Sequence, residues 1–375
     1  MALRGPAFLI WLPAVVAAAL CAGACTDRPS APRIGYAVAS GSGARDVAML
    51  AGQMIGQRDA LRGLDILRVS PKLGQSTYTG EVAIAEAIVA DPGVVGAVGH
   101  MSSRSTLIAA PLYNEAGIPL VVPTSTSRKL REAGPWIFPM APDDEAEGEF
   151  LVEFVVQSLG ARRVTVFYLT ADEYGLGLRD GVVAALRRRG LTAVDVAPVL
   201  ADSNFTKLVG ASLDRAVPDA VVVAGRSREA FGVIKALHER ISGLPCVTGD
   251  AALLSAADVS ARGASAPAVY AAAFWHPDLP GDQSRAFAVR CRTVAKFVPQ
   301  GGDAMFYDGL MLLAQAVQEV GPSRPAVRRY LESLGSSRPP YQGITGPISF
   351  RPDRRVNLVM TRGTTAGTSI IVGHR

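Results

Sequence analysis

From Arg33 onward, short apolar runs alternate with stretches whose apolar residues recur every three or four positions. Ile34–Ala39, Asp65–Val69, Val94–Val98 and Ile118–Val122 have the length and apolar content of buried strands. Helical spacing fills the intervals at Asp46–Leu61, Glu81–Ala90 and Leu107–Glu115. This rhythm predicts a parallel sheet with helices on both faces. The connection from Trp136 to Asp144, with Pro139 and Pro142 and no clear period, interrupts it. The plan then restarts with helix Glu145–Leu159, strand Arg163–Tyr168, helix Tyr174–Arg189 and strand Ala193–Val199. Helix Phe205–Ala216, strand Ala220–Ala224, helix Arg228–Glu239 and strand Pro245–Thr248 follow. Helices at Ser284–Val298 and Ala304–Val320 and a strand at Gly346–Phe350 come late. Two passes through one plan predict two similar α/β lobes.

Two neighbouring strands of the first pass end in hydroxyl-rich turns. Ser102, Ser103, Ser105 and Thr106 crowd the entrance to the helix after Val98, and Pro123-Thr124-Ser125-Thr126-Ser127 follows Val122. Open α/β sheets bind ligands at the carboxyl ends of their strands, and helix N-termini there favour an anion such as a carboxylate. Helix capping accounts for one such cluster, because Ser and Thr are preferred caps. Two clusters on adjacent strands favour a ligand site.

Composition narrows the class. A chain of 375 residues, 49% hydrophobic and 19% charged, suits two domains of ordinary size. The net charge of +5 is spread along the chain, and its densest basic run, Arg187-Arg188-Arg189, closes a helical pattern where cations offset the helix dipole. No basic stripe is interleaved with aromatics, so nucleic acid is not an expected partner. The N-terminus reads as a leader over residues 1–24: Arg4, an apolar run Ala7–Leu20 and a small-residue cleavage site at Ala22-Gly23-Ala24. Cys25 follows, as in a bacterial lipoprotein signal, so it is a candidate lipidation site and membrane anchor, with residues 25–32 as a tether. In an exported protein Cys246 and Cys291 could form a disulfide or remain buried thiols.

Catalytic signatures are missing: there is no HExxH, Walker A loop or G-x-S-x-G elbow. Gly41-Ser42-Gly43 lacks the third glycine of a dinucleotide loop, and His100, His238, His276 and His374 show no ligand spacing. The acidic pairs Asp143-Asp144 and Asp172-Glu173 stand at helix starts, where capping and the dipole suffice to explain them. No enzyme activity, metal or cofactor is expected.

A set of short motifs, in order, carries a family resemblance: Gly99-His100-x-Ser102-Ser103, Ala109-Ala110-Pro111-x-Tyr113, Ala116-Gly117-Ile118-Pro119, Pro123-x-x-Thr126-Ser127 and Tyr174-Gly175-x-Gly177. Asn204-Phe205, Pro218-Asp219-Ala220-Val221, Phe306-Tyr307-Asp308-Gly309 and Gly343-x-Thr345-Gly346-Pro347-Ile348 complete it. The chain resembles the branched-chain amino-acid type of periplasmic solute-binding protein, the capturing component of an ABC importer. That resemblance implies a type I Venus-flytrap fold: two doubly wound parallel-sheet lobes joined by a three-stranded hinge. Lobe 1 would hold residues 33–139 plus about 274–346, and lobe 2 residues 140–273 plus about 347–375. Ser103 and Thr126 match the hydroxyls that hold the ligand α-carboxylate, Thr124 a backbone carbonyl for its ammonium, and Tyr174 a tyrosine at the cleft edge. Asp250 matches the acidic partner of the ammonium, where the family usually has Glu; capping of the residues after it is its plainer role. Arg45 and Arg226 stand where the family often has cleft tyrosines. They would either receive a second anionic group of the ligand or lie solvated at the rim. The expected partners are an amino acid or related carboxylate and the subunits of an ABC permease. A ligand-sensing module of a signalling system, or a binder of an amide or acidic solute, is the alternative, since one fold serves several functions.

Overall fold

A computed structural model describes residues 1, 31–37, 47–72, 75–252, 268–350, 358–364 and 367–371, and the account that follows concerns these. The leader, Cys25, the tether to residue 30, Arg45 and Gly41-Ser42-Gly43 lie outside the described residues.

A first sheet contains β1 (Arg33–Ala37), β2 (Asp65–Val69), β3 (Val94–Val98), β4 (Leu120–Val122) and β5 (Ile137–Pro139), ordered β2-β1-β3-β4-β5 and wholly parallel. Both faces are covered, which is why its strands read as continuous apolar runs. Alternation still sorts the side chains. Val121 faces one core with Ile34 and Tyr36, whereas Leu120 and Val122 face the other, beneath α2 (Thr77–Val89) and α3 (Ser103–Ala116). The first core also contains Leu310, Leu313 and Val317 of α9 (Gly301–Val320) and Val327 and Leu331 of α10 (Arg324–Ser333), so late helices complete the first sheet.

The second sheet is ordered β14-β13-β10-β9-β8-β6-β7. Its parallel part comprises β6 (Val164–Leu169), β7 (Asp195–Val199), β8 (Ala220–Ala224), β9 (Cys246–Thr248) and β10 (Val269–Ala273). The hairpin of β13 (Val359–Thr364) and β14 (Gly367–Ile371) adds antiparallel strands beside β10. One face packs on α4 (Asp144–Glu153) and α5 (Glu173–Arg188), the other on α6 (Phe205–Arg215) and α7 (Ser227–Arg240). The chain leaves the first sheet after β5, returns after β10 and reaches the second again at β13. The result is a two-lobed α/β fold with a largely parallel sheet in each lobe.

The differences from the sequence expectations have local causes. Trp136 to Asp144 holds strand β5 despite its prolines: Pro139 ends the edge strand, where a missing donor costs little. The helix placed at Asp46–Leu61 ends at Gly56 in α1 (Val47–Gly56), followed by a 3-10 turn, Asp59–Leu61. The helix placed at Ser284–Val298 is α8 (Asp282–Arg290) plus a π-turn, Cys291–Ala295, closed by Lys296 at φ 61°. Strand β10 was missed because its alanines lack the β-branched signature, and α10 because it is short and begins at Arg324-Pro325. The strand placed at Gly346–Phe350 is shorter, β12 (Gly346–Ile348), and pairs with β11 (Tyr341–Gly343) in a separate hairpin. Asp308 of α9 ties that hairpin to the first lobe, accepting from the Ile344 and Thr345 amides and the Thr345 hydroxyl at 2.6–2.9 Å. Cys246 and Cys291 are both buried and not joined in a disulfide, one on β9 and one beside Trp275 and Phe287.

Candidate functional site between two unlike walls

The carboxyl ends of both sheets border a cleft of about 750 Å³. That volume lies in the range of small-molecule sites. Ser103, Thr124, Thr126, Tyr174, Asp250 and Arg226 all line it. Each sits just beyond a strand: Ser103 after β3, Thr124 and Thr126 after β4, Tyr174 after β6, Arg226 after β8 and Asp250 after β9.

The first-lobe wall is a stitched set of hydroxyls. Ser102 caps α3, accepting from the Ser105 amide at 3.1 Å, so the capping role belongs to this residue. Ser103, the next residue, accepts from the amides of Thr126 and Ser127 at 3.2 and 3.1 Å. With its acceptor side used, its hydroxyl hydrogen is the part that can serve a ligand. Thr106 and Ser125 share a hydrogen bond of 2.8 Å, and Thr124 donates to the Met101 carbonyl at 2.9 Å. With its hydrogen given to Met101, the Thr124 hydroxyl can still accept, so both its oxygen and its backbone carbonyl suit an ammonium. Glu81, which also lines the cleft, accepts from Ser105 at 2.9 Å and pairs with the buried His100, whose other nitrogen meets Tyr113. Burial works to raise the Glu81 pKa, but the His100 and Ser105 hydrogen bonds outweigh it and hold the carboxyl below its ordinary range. His100 is therefore a buried structural residue behind the wall.

The second-lobe wall is acidic. Asp172 caps α5 and holds the Arg226 Nε at 2.6 Å. Asp143 caps α4 and pairs with Arg131. Asp144 and Glu147 instead turn inward and are 1% and 0% exposed. The Asp250 amide donates to Glu147 Oε1 at 2.7 Å, and Tyr174 accepts from the Ala251 amide at 3.4 Å. Close packing makes room for this: a Cβ on Gly181 would stand 2.2 Å from the Asp144 carbonyl, and one on Gly249 would stand 2.0 Å from the Tyr174 hydroxyl. Burial raises the Asp144 carboxyl to about 7, with Asp250, Asp143 and Asp172 adding repulsion and the neighbouring Thr126 hydroxyl opposing it. Burial also raises Glu147 and Asp250 above the usual carboxylate range. Capping and dipole thus explain Asp143 and Asp172, but not Asp144.

Sequence reasoning missed Glu81 and the apolar chamber of Met101, Phe274, Trp275, Pro277, Val298 and Pro299 that completes the cleft, and the buried Glu147 and Asp144 behind it. Glu147 carried one usable signal: it shares a helix face with Gly148 and Leu151, the buried side of α4.

Two lobes whose strand ends face one another across a cleft of polar walls and an apolar chamber have the geometry of a small-molecule-binding protein. A family model described as periplasmic binding protein matches residues 31–363, and the chain belongs to that family. It is 30% identical over 161 residues to an "Amino acid binding protein" of Pseudomonas aeruginosa, a match covering 42% of each chain. It is 24% identical over 272 residues to "Leu/Ile/Val-binding protein homolog 1" of Brucella abortus, covering 72% of this chain and 71% of that one. Among solved structures, the fold superposes on a leucine-binding protein, LivK, of Thermotoga maritima with a TM-score of 0.78 at 17% identity, covering 91% of this chain and 98% of that one. It also superposes on isoleucine-bound LivJ of Streptococcus pneumoniae with a TM-score of 0.76 at 20% identity, covering 91% and 99%. At such identities the structures establish the fold.

Proposed function

We propose that this protein is the extracytoplasmic substrate-binding component of an ABC importer, capturing an amino acid or related small carboxylate by lobe closure. The observation that carries the reading is the polarity of the cleft, with hydroxyl donors and the α3 N-terminus on one wall and a carboxyl on the other. A zwitterion fits that polarity in one orientation: carboxylate toward Ser103 and Thr126, ammonium toward Asp250 and the Thr124 carbonyl. The names of the relatives and structural neighbours support an amino acid as the solute. Arg226 lies at the rim with its charge offset by Asp172, and its side chain is 44% exposed. The apolar chamber therefore favours an aliphatic or aromatic side chain over a second carboxylate.

On this reading residues 1–24 direct export and Cys25 anchors the chain to the membrane by a lipid. Lobe 1 holds 33–139 with about 274–346, and lobe 2 holds 140–273 with about 347–375; the closed pair is what the permease recognises. Thermal-shift screening of the twenty L-amino acids tests the function, because a bound ligand raises apparent stability. A shift with leucine, isoleucine, valine or phenylalanine and none with glutamate is the expected pattern; no shift with any amino acid overturns it.

A further inference from the structure

We propose that Asp250, which faces the ammonium end of the site, is backed by two further buried carboxyl groups, Glu147 and Asp144, and that the three together store a proton which an incoming ligand ammonium displaces. The inference rests on the amino-acid reading above and goes beyond it by assigning Asp144 and Glu147 and by coupling capture to proton release.

The neighbouring acids each have a cation. Asp172 faces Arg226, Asp143 faces Arg131, Glu173 faces Lys129 at 2.8 Å, and Glu145 faces Arg128 at 3.2 Å. Arg228, at the start of α7, pairs with Glu229 at 3.5 Å. The three proposed residues have no such partner in the described ion pairs; the other groups acting on them are Tyr174 and, toward Asp250, Arg226, whose charge is already paired with Asp172. Asp144 Oδ1, Glu147 Oε2 and Asp250 Oδ1 are each buried without a hydrogen-bond partner among the described residues. Buried carboxylates without a counter-charge of their own take up protons instead of remaining ionised together. Glu147 and Asp250 touch through the Asp250 amide and titrate as one unit with Asp144 close by. Asp250 also lines the cleft, so an ammonium arriving there supplies the missing cation. The amine keeps its three hydrogens; a carboxylic O–H ionises, and its proton leaves through the open cleft to the buffer. Ammonium-bearing solutes are thereby preferred over desamino acids, and their affinity rises with pH while the stored proton is being given up.

The test uses the full-length protein in a pH-stat at pH 6.5, with an equimolar mixture of the twenty L-amino acids adjusted to the same pH. A parallel thermal-shift measurement reports whether anything binds. The expected result is a thermal shift with release of about half to one proton per protein. At amino-acid concentrations that saturate it, Glu147→Gln should show a smaller thermal shift than the wild type and release less than half as many protons per bound ligand. A shift without proton release from the wild type overturns the proton coupling and leaves the amino-acid reading standing. Proton release undiminished in Glu147→Gln overturns the assignment of that residue. No thermal shift overturns the amino-acid reading, and this inference with it.

Discussion

The two walls of the cleft solve the same problem in opposite ways. Both present polar side chains just past the ends of parallel strands. On the first wall nearly every hydroxyl is committed: Ser103 to two amides, Thr106 to Ser125, Thr124 to Met101, and Glu81 to Ser105 and His100. On the second, Asp144, Glu147 and Asp250 are buried with an oxygen each left over. A satisfied network is rigid and stable by itself, whereas an unsatisfied one stores a demand that only a ligand meets. The first wall therefore supplies a template and the second a trigger.

The largest effect should come from removing the trigger. Asp250→Ala should weaken amino-acid binding about 10–100-fold, the worth of a charge-assisted hydrogen bond, with little loss of stability. Calorimetry combined with urea unfolding separates the two. Ser103→Ala attacks the template and should do the reverse as well: it weakens binding and also costs about 1–3 kcal/mol of stability, because two buried amides lose their acceptor. An unchanged urea midpoint would show that the hydroxyl network is not structural.

The walls should also differ in the sign of their pH dependence. Asp144 has its pKa raised to about 7 from 3.8, so its contribution to stability is fully present below pH 4 and is lost as pH rises through 7. In the ligand-free protein Asp144→Asn should therefore raise the melting temperature at pH 8, and the gain should fade by pH 4. Glu81 is lowered from 4.5, so its contribution is present above that value and lost as pH falls. Glu81→Gln should destabilise at pH 7, with the penalty vanishing in acid. Parallel pH slopes for the two variants would remove the contrast. The smallest effect belongs to the rim: Lys129→Ala breaks an exposed pair with Glu173, 66% exposed on the lysine side, and should cost less than about 1 kcal/mol by urea unfolding.

Much of the first wall was legible because its chemistry is local. Ser102 and Ser103 sit beside their strand and helix, and the apolar runs of β3 and β4 place both hydroxyl turns at one sheet edge. The motif Tyr174-Gly175-x-Gly177 was visible, but its reason was not: Gly177 lets α5 approach Asp144 and Gly175 lets it approach Leu169. Likewise Asp308 and Gly343-x-Thr345 are one contact seen from both ends. Asp144 read as an ordinary acid at a helix start, and the one local sign of Glu147's burial was the helix face it shares with Gly148 and Leu151. Their desolvation comes from α5 and from a turn beyond β9.

The sequence by itself determined the alternation of strands and helices, their two passes, the caps and the hydroxyl-rich turns, because periodicity and capping act over a few residues. Only the tertiary structure decided which carboxyls lose their water. Glu147 and the Asp250 amide are 103 residues apart in the chain and 2.7 Å apart in the fold. A group's charge depends on everything packed around it, and for these carboxyls that environment comes from distant segments of the chain.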